Sequence, residues 1–241
     1  MKIIPCIETP VSGNYKDFIK ELASLCEVVS KLNGNDQHPS IIIEQNFGIN
    51  SIIISKELME AGNKNKINVI YAFNMRDKNR IAIFSDLVTL NQLGLRNIII
   101  SEGLHPVKTS FYSAKPVYDI DSVALSSAIK LKTEKEANFQ LDRLAFKDFN
   151  LGVMVGASTP VDLVKIKKLV LLGVDSFIIN SFLDNVGAIK YIKSRNRECL
   201  INVKETGIKS LDEGKDKAVE YGADGLIVKI MNEKTNIFNR F

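Results

Sequence analysis

The stretch Leu93-Gly94-Leu95-Arg96-Asn97-Ile98-Ile99-Ile100 joins the end of a predicted helix to a predicted strand. A leucine followed by glycine is typical of a helix that ends on a residue in the left-handed conformation, and the three isoleucines predict a buried strand. The pattern recurs at Leu172-Gly173-Val174-Asp175-Ser176 and at Tyr221-Gly222-Ala223-Asp224-Gly225, each before an aliphatic run. Repetition of helix, short turn and buried strand indicates an α/β protein with a parallel sheet.

Eight strand-sized aliphatic runs lie along the chain, apolar throughout rather than alternating. Such runs are typical of strands covered on both faces of a parallel sheet. They are Lys2–Ile7, Ser40–Ile43, Asn68–Phe73, Asn97–Ile100, Leu151–Val155, Ser176–Ile179, Leu200–Val203 and Leu226–Ile230. Eight such strands in 241 residues predict a single (β/α)8 TIM barrel over residues 1–241. An open doubly wound sheet is the alternative, but no Gly-x-Gly-x-x-Gly follows the first run.

The segments between the strands predict helices with recognisable ends. Asn14 is the expected N-cap of the first helix, and Ser210-Leu211-Asp212-Glu213 predicts a capping box at the start of the last. Two helices, Asp119–Leu131 and Glu134–Asp148, are expected between the fourth and fifth strands. Pro5 is unusual because it removes a hydrogen-bond donor from the first strand.

Composition excludes several classes of protein. The net charge of +4 is too small for a nucleic-acid-binding face, and no apolar run is long enough to span a membrane. Three cysteines without a Cys-x-x-Cys motif predict reduced thiols, and two isolated histidines argue against a metal site. The N-terminus has no signal-peptide pattern. We therefore expect a cytoplasmic protein without a metal.

Polar residues follow every predicted strand, at the end of a barrel where active sites form. Several carboxylates and amides around one mouth favour a polar organic ligand over a metal ion. They are Glu8, Glu44-Gln45-Asn46, Asn74 with Arg76 and Asp77, Ser101-Glu102, Gly156-Ala157-Ser158, Asn180, Lys204-Glu205 and Lys229.

The stretch after the third strand carries a resemblance to a known family. Arg76-Asp77-Lys78-Asn79-Arg80-Ile81-Ala82 is followed by the helix that ends at Gly94, and this pair of features resembles the methylenetetrahydrofolate reductase family. Three segments fit in the same order: Glu8-Thr9-Pro10, Val117–Val123, and Val161–Asp184. The resemblance covers about Ile3 to Ser194 and, like the strand pattern, implies a (β/α)8 barrel.

The resemblance implies flavin-mediated reduction of 5,10-methylenetetrahydrofolate, or of a related tetrahydropterin, to its 5-methyl form. Glu8 would be the catalytic acid that protonates the substrate, and Glu102 the carboxylate that stabilises the cation. Asn180 and Asn74 stand at substrate-binding positions. The cofactor would be FAD, or else FMN or none. The residues implied for it are Asp162, Lys165 and Lys168.

The same resemblance leaves partners and two other functions open. The electron donor would be a nicotinamide or a protein, and the chain would form a homo-oligomer or join a partner subunit. The loop Gly156-Ala157-Ser158-Thr159-Pro160 lacks the tyrosine and histidine with which relatives contact the flavin. The loop is also short, which fits a first alternative, a flavin-free pterin-binding barrel for methyl transfer. A second alternative is a non-catalytic subunit that works through a partner protein. Arg76, Asp77 and Arg80 are expected to form local ion pairs and caps, as is Asp121.

Overall fold

Eight parallel strands close into a barrel in the computed structural model. It describes residues 1–10, 14–34, 36, 38–45, 48–61, 67–76, 78–103, 105–108, 112–130, 149–156, 159–180, 186–196, 200–205 and 211–230, without the side chains of Asn180, Val186 and Glu205. The strands follow chain order around the barrel, and the first pairs with the last. They are β1 (Lys2–Glu8), β2 (Ser40–Glu44), β3 (Asn68–Asn74), β4 (Asn97–Ser101), β5 (Asn150–Val155), β6 (Ser176–Asn180), β7 (Leu200–Glu205) and β8 (Gly225–Ile230). The predicted (β/α)8 barrel is confirmed.

Seven α-helices lie between these strands in the described residues. They are α1 (Tyr15–Leu32), α2 (Ser51–Ala61), α3 (Arg80–Gln92), α4 (Ser122–Lys130), α5 (Pro160–Leu171), α6 (Val186–Arg195) and α7 (Leu211–Glu220). Asn14 caps α1 as predicted, its side chain accepting from the Lys16 amide at 3.1 Å. The predicted capping box at Ser210 and the predicted helix Glu134–Asp148 lie outside the described residues. None of the described helices is long and apolar enough to cross a membrane.

The predicted start of the fourth helix is wrong by three residues. The helix begins at Ser122, not at Asp119, because Asp121 caps it: its Oδ1 accepts from the Ala124 amide at 2.7 Å. Asp119 is instead bound to Arg80, whose backbone amide donates to its Oδ2 at 2.8 Å and whose Nε donates to its Oδ1 at 3.1 Å. The predicted ion-pair role of Arg80 and capping role of Asp121 are confirmed.

The repeated glycine motif works as the sequence predicts. Gly94, Gly173 and Gly222 have φ values of 75°, 72° and 75°, in the left-handed region where other residues are strained. In the second and third copies the following aspartate ties the turn to a strand: Asp175 accepts from the Leu151 amide and Asp224 from the Ile201 amide, each at 2.7 Å. Both carboxylates also bind a lysine: Asp175 binds Lys130 on α4, and Asp224 binds Lys193 on α6.

Side chains on the strands divide between two cores. The larger core packs the outward faces of the strands against the helices. The smaller core fills the barrel and consists of buried inward residues: Ile4, Cys6, Ile42, Ala72, Ile99, Ile178 and Ile227. Because side chains alternate along a strand, Glu8 and Glu44, two positions beyond Cys6 and Ile42, also point into the barrel, at its C-terminal mouth. This alternation selects which strand-end residues face the site.

Candidate active site

Four charged side chains form a chain of ion pairs across the C-terminal mouth. Glu8 and Glu44 stand on β1 and β2, two residues beyond Cys6 and Ile42 of the inner core. Lys204 and Lys229 stand on β7 and β8, and Lys204 is in register with Ile227 of the same core. Lys204 binds Glu44, and Lys229 binds Glu8 and lies 3.7 Å from Glu44 Oε2. We call these four residues the quartet.

The quartet runs from the barrel interior outward. The exposed fraction of the side chain is 11% for Lys204, 17% for Glu44, 29% for Lys229 and 36% for Glu8. The deep pair, Lys204 and Glu44, is therefore shielded from solvent. The outer pair, Lys229 and Glu8, is the part that a ligand entering the mouth meets first.

Neighbouring charges within the quartet shift the pKa values of Glu44 and Lys229. Burial alone would raise the pKa of Glu44, but the charge and hydrogen bond of Lys204, with the charge of Lys229, hold that pKa below its ordinary value of 4.5. Burial alone would lower the pKa of Lys229, but its hydrogen bond to Glu8 and the charges of Glu44 and Glu8 raise that pKa above 10.5. At neutral pH the site therefore presents an ionised carboxylate beside a protonated amine.

Cys6 forms part of the floor beneath the quartet. Its side chain is 1% exposed, and burial, followed by the nearby charge of Glu44, raises the pKa of its thiol far above the ordinary value. Because a thiolate is the nucleophilic form of cysteine, this residue is an inert packing group. Cys6 and Cys26 are free thiols as predicted, and Cys199 lies outside the described residues.

The two predicted catalytic carboxylates belong to different ion pairs. Glu8 lies in the quartet, whereas Glu102, just beyond β4, binds Lys165 of α5 and accepts from the Ser122 hydroxyl at 3.4 Å. The Glu102 side chain is 45% exposed. Its contacts link the end of β4 to α4 and α5, whereas the ion pair of Glu8 links β1 to β8.

Of the two predicted substrate-binding residues, the structure describes the side chain of Asn74 but not that of Asn180. Asn74 ends β3 in register with Ser101, and its amide lies directly against Gly103: a Cβ built on that glycine would be 1.7 Å from Asn74 Oδ1. Gly103 also has a φ of 75°, so no other residue fits there without strain. Asn180 stands in register with Lys204 at the end of β6, and its side chain lies outside the description.

The residues predicted to hold a flavin have other contacts. Asp162 forms a capping box at the start of α5: its Oδ2 accepts from the Thr159 hydroxyl at 2.8 Å, and its amide donates back to that hydroxyl at 3.2 Å. Lys165 binds Glu102, and Lys168 lies exposed in the last turn of α5, about 12 Å along the helix from its start. In these positions the three residues do not fit a flavin.

Sequence reasoning noted Glu44, Lys204 and Lys229 as strand-end residues but did not select them. The signal that was missed is the alternation of side chains between the two faces of a strand. It places a charged residue at the last inward-facing position of four adjacent strands. The missed signal for Asp162 is also local, since Thr159-Pro160 followed by Asp162 is a capping-box pattern with proline in the first turn. Arg76 stacks its guanidinium 5.2 Å from the Tyr118 ring, and Asp77 lies outside the described residues.

Two other features of the described residues are not candidates for the site. A groove of about 410 Å³ between α2 and α3 opens on the outer wall of the barrel, and of its two acidic side chains, Glu57 and Asp86, the second is bound to Lys78. Among the described side chains, no three histidines, cysteines or acids come close enough together to hold a metal ion. The mouth of the barrel is thus the candidate active site, because its carboxylates and amines can accept and donate protons.

Comparisons with known proteins place the fold. No family model matches the chain, and no curated protein is significantly similar to it in sequence. Solved structures with similar folds are tryptophan synthase from M. tuberculosis (TM-score 0.54, 13% identity, covering 95% of this chain and 82% of that one) and orotidine 5'-monophosphate decarboxylase from Metallosphaera sedula (0.51, 15%, 95% and 87%). Phosphoribosylanthranilate isomerase from Thermotoga maritima is a third (0.50, 8%, 95% and 86%). All three of these proteins are enzymes. At such identities the likeness shows that this chain has the TIM-barrel fold they share.

Proposed function

We propose that this protein is an enzyme that transfers a proton next to a carbonyl group of a small polar organic substrate. The observation that carries the proposal is the pair Glu8 and Lys229, an anionic carboxylate beside a protonated amine at the mouth of a barrel. General acid–base catalysis needs these two groups within reach of one bound molecule. The enzymes that share the fold support the proposal by analogy only.

The reaction follows from the charges of the outer pair. A C–H bond next to the substrate carbonyl breaks, and its proton passes to a carboxylate oxygen of Glu8. The electron pair moves onto the carbonyl oxygen, where the Lys229 ammonium stabilises the negative charge. Return of the proton to the same or a neighbouring atom restores Glu8. Neither an oxidant nor a reductant is consumed.

The deep pair supports this chemistry without touching the substrate. Glu44 Oε2 lies 3.7 Å from Lys229 Nζ, and its negative charge helps to keep that lysine protonated. Lys204 in turn keeps Glu44 ionised. Lys229 therefore serves as a fixed cation and hydrogen-bond donor. In this role it does not act as the neutral amine that Schiff-base chemistry needs.

Hydrogen–deuterium exchange at carbon tests the proposal. The protein in D2O is incubated with ketones, 2-oxo acids and cyclic amides, and loss of the C–H signal is followed by proton NMR. We expect exchange of at least one class above the buffer rate, and a loss of about a hundredfold or more in Glu8→Gln and Lys229→Met. Lys217→Met, which breaks an exposed pair with Glu213 on α7, is the matched control and should exchange as the wild type does. Absence of exchange throughout, or unchanged exchange in Glu8→Gln, would contradict the proposal.

A second candidate is a one-carbon step on a tetrahydropterin, as the family resemblance implies. The observation in its favour is that Glu8, the implied acid, faces the mouth from an inward position of β1. Because the predicted flavin residues have other contacts, the flavin-free form of this candidate is the one the geometry favours. We expect the protein to stay colourless after incubation with FAD or FMN and desalting, and tetrahydrofolate binding to weaken in Glu8→Gln. A retained flavin that bleaches on adding 5-methyltetrahydrofolate would restore the reductase hypothesis.

A further inference from the structure

The charge balance of the mouth points to a class of substrate. Lys204 is matched by Glu44, and Lys229 by Glu8. A phosphate or carboxylate entering next to Lys229 would also meet the oxygens of Glu8 and Glu44, and like charges at such distances repel. A ligand cation would meet Lys229 and Lys204 in the same way. A neutral ligand avoids both costs.

The outer pair also has a defined pattern of hydrogen bonding. Lys229 and Glu8 stand on adjacent, paired strands, so a donor and an acceptor lie side by side. An ammonium group has three N–H donors; one goes to Glu8 Oε1, and Glu44 Oε2 at 3.7 Å is beyond hydrogen-bond distance. A carboxylate accepts several hydrogen bonds at once. The pair can therefore donate to one ligand atom and accept from its neighbour.

We propose that the Glu8–Lys229 pair recognises the cis N–H and C=O edge of a neutral cyclic amide. The ring carbonyl accepts from the Lys229 ammonium, and the adjacent ring N–H donates to the Glu8 carboxylate. This assignment rests on the proposed function, because the same carbonyl would carry the negative charge during proton transfer. It names the substrate class as lactam-containing heterocycles and excludes phosphorylated handles at this pair.

A pair of matched fragments tests the assignment. The probe is 2-pyridone, a minimal cyclic amide, and its control is N-methyl-2-pyridone, which keeps the carbonyl and loses the N–H donor. Binding is followed by ligand-observed NMR titration, since fragments of this size bind weakly. We expect 2-pyridone to bind about tenfold more tightly than the N-methyl compound, a difference worth about 1.4 kcal/mol. Inorganic phosphate should not displace it.

Variants locate the effect on the pair. Glu8→Ala and Lys229→Met should each abolish the preference for 2-pyridone, whereas Lys217→Met should keep it. If Lys229→Met fails to fold because Glu44 loses a partner, Glu8→Ala and the wild-type comparison of the two fragments still decide. Equal binding of the two fragments by the wild type, or displacement of 2-pyridone by phosphate, would overturn the assignment.

The outcomes separate this inference from the proposed function. Carbon exchange without a preference for 2-pyridone overturns the lactam assignment and leaves the proton-transfer reaction in place. A preference for 2-pyridone that depends on Glu8 and Lys229, without exchange of any substrate class, supports the recognition and removes the reaction.

Discussion

The inward-facing positions of this barrel carry different kinds of side chain at its two ends, an amide ladder on β2 to β5 and the quartet on β1, β2, β7 and β8. At the N-terminal end, amides and a hydroxyl form a ladder: Asn150 Nδ2 donates to Asn97 Oδ1 at 3.0 Å, Asn97 Nδ2 to Asn68 Oδ1 at 2.6 Å, and Asn68 Nδ2 to Ser40 Oγ at 3.0 Å. At the C-terminal end the quartet takes the corresponding place on β1, β2, β7 and β8. The ladder is neutral, whereas the quartet carries four charges.

This difference distinguishes the side chains that stabilise the barrel from those that serve its function. A ladder of amides satisfies its own hydrogen bonds and buries no charge, so it closes one end at little cost. Buried ion pairs cost desolvation that their attraction barely repays, and well-packed apolar residues often serve as well. Four charges held at the end where barrel active sites form are thus better explained by chemistry than by stability.

The largest effect on stability is expected at the deep pair. In Lys204→Met the Glu44 carboxylate stays in the barrel without its lysine, and we expect the free energy of unfolding to fall by about 3 kcal/mol. The double variant Glu44→Gln with Lys204→Met should lose only about 1 kcal/mol, since both charges leave together. Urea unfolding followed by circular dichroism measures both values. A double variant less stable than the single one would show that the pair itself stabilises the fold.

A smaller effect, of a different kind, is expected at the ladder. Asn97→Ala removes two amide hydrogen bonds and should lower the free energy of unfolding by about 2 kcal/mol. Because the ladder lies at the other end of the barrel, carbon exchange and fragment binding should stay at wild-type levels in the folded variant. Asn91→Ala, on α3 and without a side-chain hydrogen bond among the described contacts, is the matched control for urea unfolding. Altered binding in Asn97→Ala would show that the two ends are coupled.

The fold was predictable because its signals are local. Each aliphatic run lies within one of the eight strands, and Gly94 and Gly173 end helices at their predicted places. The start of α4 was not predictable in the same way. Besides the local cap from Asp121, Asp119 is held outside the helix by Arg80, which is 39 residues away, so helical pattern alone extends the helix too far.

The sequence could predict which residues stand at the strand ends of the site, but not which of them form ion pairs. Glu8 and Lys229 are 221 residues apart, and they meet because β8 closes on β1. A sequence pattern places each at a strand end, but the neighbour that fixes its charge is known only once the barrel is closed. The resemblance selected Glu8 by position and gave no reason to choose Lys229, Glu44 or Lys204.

The smallest effect expected is a pH dependence that the quartet has and the amide ladder lacks. The pKa of Glu44 is lowered on folding, so its contribution to stability is complete above its unfolded value, near 4.5, and is lost as the pH falls through the folded value. The pKa of Lys229 is raised, so its contribution is complete below about 10.5 and is lost as the pH rises through the folded value. Between these limits, the quartet should add no pH dependence to the free energy of unfolding.

Comparison of variants isolates this effect from the other titrating groups. We expect the stability difference between the wild type and Glu44→Gln/Lys204→Met to be flat from about pH 6 to pH 9 and to change below about pH 4.5. The difference between the wild type and Asn97→Ala should stay constant over the same range, because amides do not titrate. Urea unfolding at matched ionic strength measures both curves. Parallel curves for the two variants down to about pH 3 would mean that Glu44 keeps its ordinary pKa in the folded protein.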